Sequence, residues 1–210
     1  MLSNPHISLS ICIVCYNTQP HQLLTLIDSL SVAAQHLKEK FTFSTIPIYV
    51  VDNSASDKNL CRVIDEKKDY INRQQVELHY ISGHGNIGYG SAHNLILERL
   101  NSDFHLILNP DLVVDKESLV NAITAIGNDA NVVAISPYAE NMSGEKQYLC
   151  KRYPSVITFF IRGFLFKPLK RYFSERLSSY EMRELSEKKD SNGIELISGC
   201  FMLVDTRAFK

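Results

Sequence analysis

Three polar clusters and one glycine-rich loop contain the residues of this chain that could do chemistry: Tyr16-Asn17, Asp52-Asn53-Ser54, Asn109-Pro110-Asp111 and Gly83-His-Gly-Asn-Ile-Gly-Tyr-Gly-Ser-Ala-His-Asn94. Asp111 is the most informative. Pro110 has no amide donor and holds Asn109 extended, so strand pairing ends there and the carboxylate is presented just past the strand. A carboxylate in that setting suits a hard divalent cation, Mg²⁺ or Mn²⁺, which keeps several waters and bridges to substrate phosphates. A simple Pro-Asp turn is the alternative. The first six residues of the loop fit G-x-G-x-x-G, a pattern whose backbone can approach a dinucleotide pyrophosphate.

These residues need elements that bring them together. Ile7 to Cys15 is a continuous apolar strand, and Leu23, Leu24, Ile27 and Leu30 follow at helical spacing. Ile46 to Val51 is a second strand, followed by a charged helical segment from about Asp57, a plausible N-cap, to Tyr70. Val76 to Ile81 alternates as a third strand; after the glycine loop, Ala92 to Leu100 reads as a helix with Leu95, Ile96 and Leu100 inward. Phe104 to Leu108 is the fourth strand, Lys116 to Ile126 a helix, and Val132 to Ser136 a fifth strand. Repeated βα units with apolar strands predict an α/β fold: a mainly parallel sheet with helices on both faces and polar ligands at the strands' carboxyl ends.

Beyond Pro137 the pattern changes to a Ser143-Gly144 turn, a strand-like piece over Tyr148 to Tyr153, and a basic, aromatic-rich segment. Ile194 to Val204 reads as extended chain returning to the sheet, with Asp205 or Thr206 capping a new helix. Each polar cluster thus closes a strand. Asn, Asp and Ser there also serve as turn and cap residues, but local capping does not readily account for three clusters and a glycine loop at one sheet edge.

The dinucleotide reading of the loop meets two objections. Two βα units precede it, whereas the fingerprint normally occupies the first βα turn, and the loop continues through Tyr89 and Gly90, so its helix is expected near Ser91 rather than before the third glycine. His84 and His93 in the loop, and Glu195, could be imagined as general bases, although loop histidines more often serve as surface or hydrogen-bonding groups.

Composition narrows the function classes. With 22 basic and 23 acidic residues, the chain has no polycationic footprint, so nucleic acid is not an expected partner. No signal peptide or spanning segment is read, and a cytoplasmic protein is expected. Cys12 and Cys15 form a C-x-x-C, but three residues apart on a strand they point to opposite faces, so buried reduced thiols are expected rather than a metal or disulfide pair.

In their order and nearly over its whole length, the motifs of this chain resemble the inverting family-2 glycosyltransferases of the GT-A fold, in particular the rhamnosyltransferase-like enzymes of bacterial O-antigen and cell-wall polysaccharide synthesis. The matching stretches are Ile13-Val-Cys-Tyr-Asn17, Val50-Val-Asp-Asn-Ser54, Asn86-Ile-Gly-Tyr-Gly-Ser-Ala-His-Asn94, Leu108-Asn-Pro-Asp111 and Ile197-Ser-Gly-Cys-Phe-Met-Leu-Val204. The resemblance implies a Rossmann-like sandwich in one domain over 1–210, with a nucleotide-sugar-binding half over 1–136 and an acceptor-side half over 137–210. It implies that Tyr16 and Asn17 border the base and that Asp52, beside Asn53, accepts the base imide. Asn86, Gly88, Tyr89, Gly90 and Asn94 would line the nucleotide and diphosphate, and Asn109 and Asp111 match the family's D-x-D position, where the last Asp holds the metal. The implied partners are a dTDP- or UDP-sugar and a glycan or lipid-linked acceptor.

Two features depart from the family. Asn109 replaces the first Asp of that motif, and the acidic stretch that supplies the general base is expected beyond Lys210. That predicts a truncated form that binds donor nucleotide but transfers sugar poorly. A nucleotidyltransferase or NAD-type Rossmann protein is the rival enzyme class. The segment from Tyr153 to Arg176 combines Ile157, Phe159, Phe160, Ile161, Phe164, Leu165 and Phe166 with Arg162, Lys167, Lys170 and Arg171. Packing against the sheet, or against a missing C-terminal part, is the expectation for its apolar residues; contact with an anionic bilayer at the inner face of the membrane is the alternative.

Overall fold

The computed structural model describes residues 5–54, 58–72, 76–164, 166, 171–185 and 191–209. Its first part runs β1 (Leu9–Cys15), α1 (Pro20–Leu37), β2 (Ile46–Asp52), α2 (Lys58–Asn72), β3 (Val76–Ile81), α3 (Tyr89–Leu97), β4 (Phe104–Leu108), α4 (Ser118–Asn128) and β5 (Ala134–Ile135). Then come β6 (Ala139–Glu140), β7 (Lys146–Gln147), β8 (Cys150–Lys151), α5 (Val156–Phe164), α6 (Ser174–Tyr180), β9 (Leu196–Ile197) and β10 (Phe201–Asp205). Two compact units result: Met1–Ile135 with Gly199–Lys210, and Ser136–Ser198.

The first unit is built on a six-stranded sheet in the order β3-β2-β1-β4-β10-β5. β1 pairs in parallel with both β2 and β4, and β2 with β3, whereas β10 is antiparallel to β4 and β5. All seven β1 residues are buried, as expected for a strand covered on both faces. Ile11, Ile13 and Cys15 share a core with Leu23, Leu26, Ile27 and Leu30 of α1, Leu60 and Ile64 of α2 and Leu119 and Ile123 of α4. On the opposite face Cys12 and Val14 meet Ala92 and Ile96 of α3. The two cysteines therefore lie on opposite sides of the sheet, and burial pushes the Cys12 thiol up to about 12, which keeps it protonated.

Several expectations need adjustment. α3 begins directly after Gly88, not near Ser91, because Gly88 takes a positive φ of 86° that turns the chain into the helix at once. Its inward residues are Ala92, His93 and Ile96; Leu95 lies one position off that stripe and is exposed. The fifth strand shrinks to two residues because β10 enters between β4 and β5, leaving β5 as a short edge. The returning extended chain is broken at Gly199-Cys200, so that Leu196–Ile197 pairs with β8 and only Phe201–Asp205 joins the large sheet. The expected terminal helix is a short 3₁₀ turn, Thr206–Phe209, opened by the Asp205 carboxylate, which accepts the Arg207 N–H at 2.9 Å. Asp57, named as the cap of α2, lies outside the described residues.

In the second unit, Asn141 Oδ1 accepts the Ser143 and Glu145 N–H groups, both at 2.9 Å, and closes the β6–β7 hairpin with Gly144 at φ 76°. Arg152 binds Glu184 and the Ser179 carbonyl. α5 buries Thr158 and Ile161 and exposes Val156, Ile157, Phe159, Phe160 and Phe164, so of the apolar residues expected to pack only Ile161 is covered among the described residues. Of the basic residues in that segment, Lys167 and Lys170, with Leu165, lie outside the described residues, and so does Lys210 at the chain's end. Among the described residues no helix is long and apolar enough to cross a membrane.

Two histidines are buried on the α3 face of the first unit. His105 Nδ1 shares a 2.8 Å hydrogen bond with Ser10 Oγ, while neither ring nitrogen of His93 has a partner among the described residues. Burial holds both rings neutral, each pushed down to about 4 from the ordinary 6.5. The unfolded chain therefore takes up protons below about pH 6.5 that the folded chain refuses until about pH 4. The associated stability is fully present above pH 6.5 and is lost as pH falls through that window. His93→Leu removes both the titration and an unsatisfied donor, a group that costs about 1–3 kcal/mol when buried. Its Tm at pH 7 is expected to equal or exceed that of the parent chain and to fall less steeply towards pH 4.5 in thermal melts; parallel slopes would show that His93 does not carry the effect.

Candidate functional site

The register of the parallel strands sets the site. Cys15 lies opposite Asp52, Val51 opposite Ile81, and Ile13 opposite Leu108, so the carboxyl ends of β1, β2, β3 and β4 reach one sheet edge. The chain winds from β1 outward through β2 to β3 and then crosses to β4 on the other side of β1. In such sheets that reversal of direction opens a crevice outside the strand ends. Tyr16-Asn17 borders it on the β1 side and Asn109-Pro110-Asp111 on the β4 side.

Side-chain bonds to backbone shape this edge. Asn17 adopts a left-handed φ of 50°, and its N–H donates to Ser54 Oγ at 2.8 Å; the Tyr16 N–H donates to Thr18 Oγ1. That sharp exit from β1 leaves the Tyr16 ring 56% exposed at the end of an otherwise buried strand. Backbone strain held by local bonds is concentrated at functional sites.

Asp52 is buried, with Oδ1 accepting the Ser54 N–H at 2.9 Å and Oδ2 the Tyr80 hydroxyl at 2.6 Å. Burial and the hydrogen bond to Asp52 push the Tyr80 phenol up, so it stays a donor. Asn53 donates through Nδ2 to the Gly88 carbonyl at 3.2 Å, and its Oδ1 lies 2.9 Å from His84 Nε2. The second strand's polar cluster therefore braces both the β1 exit and the glycine loop.

In the loop, Asn86 Oδ1 accepts the Gly88 N–H at 3.0 Å, and the Gly88 carbonyl accepts the Ala92 N–H at 3.1 Å. Gly90 and Asn94 are exposed on α3. The Tyr89 hydroxyl donates to the Gly199 carbonyl at 2.7 Å. The helix starts two residues earlier than expected, yet still after the third glycine and not before it, so that objection to the dinucleotide reading stands. So does the other: the loop follows β3, at the far edge of the sheet, not the central β1.

The three base candidates fall into structural positions. His84 is bonded to Asn53, Glu195 Oε2 accepts the Tyr153 N–H at 2.6 Å within its own unit, and His93 is buried against the sheet, not on a loop surface. Asn109 donates its N–H to the Cys200 carbonyl at 2.9 Å. Asp111 is exposed just beyond, and burial, with the Asp111 charge next in size, pushes the neighbouring Cys200 thiol up. No group of three His, Cys, Asp or Glu able to hold an ion occurs among the described residues. One exposed carboxylate beside a protonated thiol fits a hard cation whose shell is completed by water and ligand phosphates, not a closed protein cage.

Tyr80 and Thr18 belong to this edge but carried no sequence signal, and Gly199 was marked only as part of the Ile197–Val204 stretch, with no role of its own. Tyr80 reads as an ordinary alternating strand position; only its register opposite Val50 brings the phenol to Asp52.

The sequence profile of glycosyl transferase family 2 matches residues 10–208. Among curated proteins, the low-salt glycan biosynthesis hexosyltransferase Agl10 of Haloferax volcanii is 32% identical over 132 residues, covering 57% of this chain and 39% of Agl10. The poly(ribitol-phosphate) β-N-acetylglucosaminyltransferase TarS of Staphylococcus aureus is 24% identical over 205 residues, covering 90% of this chain and 34% of TarS. The chain thus spans less than two fifths of the length of these relatives. Among solved structures, the mannosyltransferase PcManGT of Pyrobaculum calidifontis, in complex with GDP-Man and Mn²⁺, superposes with a TM-score of 0.53 at 16% identity, over 66% of this chain and 37% of that one. S. aureus TarS 1-349 gives 0.51 at 18% identity, over 74% and 44%. These likenesses identify the strand order and its crevice as the GT-A fold. With nearly its whole length matched, the chain belongs to glycosyl transferase family 2.

Proposed function

We propose that the chain is a nucleotide-sugar-dependent glycosyltransferase domain that moves a hexosyl unit, rhamnose or a related hexose, from a dTDP- or UDP-linked donor to a glycan or lipid-linked acceptor, with inversion. The observation that carries this reading is the reversal of winding at β1, where the chain presents an exposed Tyr16 past β1 and an exposed Asp111 past β4 at one sheet edge. Tyr16 offers a stacking face for the base. Asp52 accepts one bond on each oxygen among the described residues and, though buried, is the carboxylate at this edge that would accept the base imide. Asn86, Gly88, Gly90 and Asn94 form the wall beside the diphosphate. Asp111, next to Asn109, is the residue that would hold Mg²⁺ or Mn²⁺. When bound, the ion neutralises charge on the departing nucleoside diphosphate. As the acceptor hydroxyl attacks the anomeric carbon, the bond to the diphosphate breaks, the leaving group carries away its electron pair, and the hydroxyl's proton passes to a general base or to water.

A second reading concerns location, and the exposed apolar side of α5 favours it. Ile157, Phe159, Phe160 and Phe164, followed by Phe166 and Tyr172, are all exposed, and Arg171 lies in the same stretch. Aromatic and aliphatic side chains beside basic ones suit the interface of an anionic bilayer, which agrees with a lipid-linked acceptor.

Thermal shift with UDP, dTDP and NAD, each with and without Mn²⁺, tests the first reading. Stabilisation by UDP or dTDP that rises with Mn²⁺ is expected, and Asp111→Ala should weaken the Mn²⁺-dependent binding at least about tenfold, or ~1.4 kcal/mol. Stabilisation by NAD alone would overturn the assignment. For the second reading, the chain should float with phosphatidylserine-containing vesicles and less with phosphatidylcholine alone, and the triple change Phe159→Ser, Phe160→Ser, Phe164→Ser should abolish flotation. Absence of flotation, or flotation that survives these changes, removes α5 as a membrane contact.

A further inference from the structure

The resemblance gives Tyr89 a place among the residues lining the nucleotide, but its phenol is already committed elsewhere. Its hydroxyl donates to the carbonyl of Gly199, 110 residues later in the chain, at 2.7 Å. The ring is held from the side by His93, one helical turn on, edge to face at 4.5 Å between centroids. Neither ring nitrogen of His93 has a hydrogen-bond partner among the described residues, so its contribution to this contact is shape.

Gly199 is fitted to this contact. A Cβ at that position would lie 3.0 Å from the Tyr89 hydroxyl oxygen and 3.1 Å from the ring. Its φ lies outside the left-handed range, so the glycine is needed for close approach and not for backbone freedom. The next carbonyl, that of Cys200, accepts the Asn109 N–H at 2.9 Å, two residues before Asp111. Two successive carbonyls at the start of β10 therefore take one bond from the glycine loop and one from the Asn109–Asp111 loop.

We infer that Tyr89 is a positioning residue: through the Gly199–Cys200 turn it ties the glycine-loop wall of the crevice to the Asp111 wall, so that the diphosphate amides and the metal-binding carboxylate keep a fixed separation. The inference rests on the proposed nucleotide-sugar function for its ligand, but the tie itself is a property of the free chain. A ligand spanning both walls is sensitive to their spacing, because small misplacements of positioned groups carry large penalties.

Hydrogen–deuterium exchange of the ligand-free chain tests the tie. Tyr89→Phe and Gly199→Ala should each raise exchange both in residues 86–91 and in residues 199–202; unchanged exchange in the second segment overturns the inference whether or not nucleotide binds. Titration with UDP and dTDP then tests the role. In both variants the gain in affinity conferred by Mn²⁺ should drop roughly two- to tenfold, the scale of one neutral hydrogen bond, and drop more than the metal-free affinity does. The double variant should be no worse than the poorer single one, the non-additivity expected of two halves of one contact. If Tyr89→Phe lowers metal-free and Mn²⁺-dependent affinity equally while Gly199→Ala lowers neither, Tyr89 is a direct ligand contact and the positioning role is overturned. A parent chain that shows the exchange response but binds neither nucleotide would overturn the functional reading and leave the tie standing.

Discussion

Parallel pairing of β1 on both of its sides is the constraint from which the rest of the site follows. A strand with parallel neighbours right and left must have both faces covered, because every connection in a parallel sheet crosses over one face or the other. That requirement accounts for the unbroken burial of Leu9–Cys15 and for the division of its side chains between an α1, α2 and α4 core and an α3 core. It also makes β1 the place where the winding reverses, and a crevice opens between diverging crossovers at its carboxyl end. Polar residues just past Cys15, Asp52 and Leu108 are thereby delivered to one edge, although they are far apart in the chain.

At that edge structural and ligand-binding roles are not exclusive. Asp52, Asn53 and Ser54 each make bonds that hold backbone: Asp52 and Ser54 fix the exits of β2 and β1, and Asn53 fastens the glycine loop. Turn and cap chemistry therefore explains these residues in part, as it does Asn86 and Asn141. What it does not explain is the pair left outward, the Tyr16 ring and the Asp111 carboxylate. It is on this exposed aromatic and this exposed carboxylate, at the switch point of the sheet, that the proposed nucleotide and metal contacts rest.

The glycine loop shows how a motif can mislead by being partly right. Its glycines do lie between a strand and a helix, as in a dinucleotide fingerprint, yet the helix begins only after the third glycine and the loop follows the edge strand of the sheet. Helix-terminal amides serve any diphosphate. The surrounding topology, not the spacing of the glycines, selects among the ligands that contain one.

The alternation of apolar strands with amphipathic helices was sufficient to read the α/β class and the mainly parallel sheet, because strand burial and helical periodicity are written locally along the chain. The polar clusters were likewise visible, since Pro110 and the glycines punctuate the strands whatever the tertiary context. Other features depended on distance in three dimensions. That β10 lies between β4 and β5, that Tyr80 reaches Asp52, that His93 is buried and that Tyr89 meets Gly199 are consequences of register and packing between segments up to 110 residues apart. Local composition cannot encode them, because a hydrogen bond between remote residues exists only after the sheet has fixed the separation of its ends.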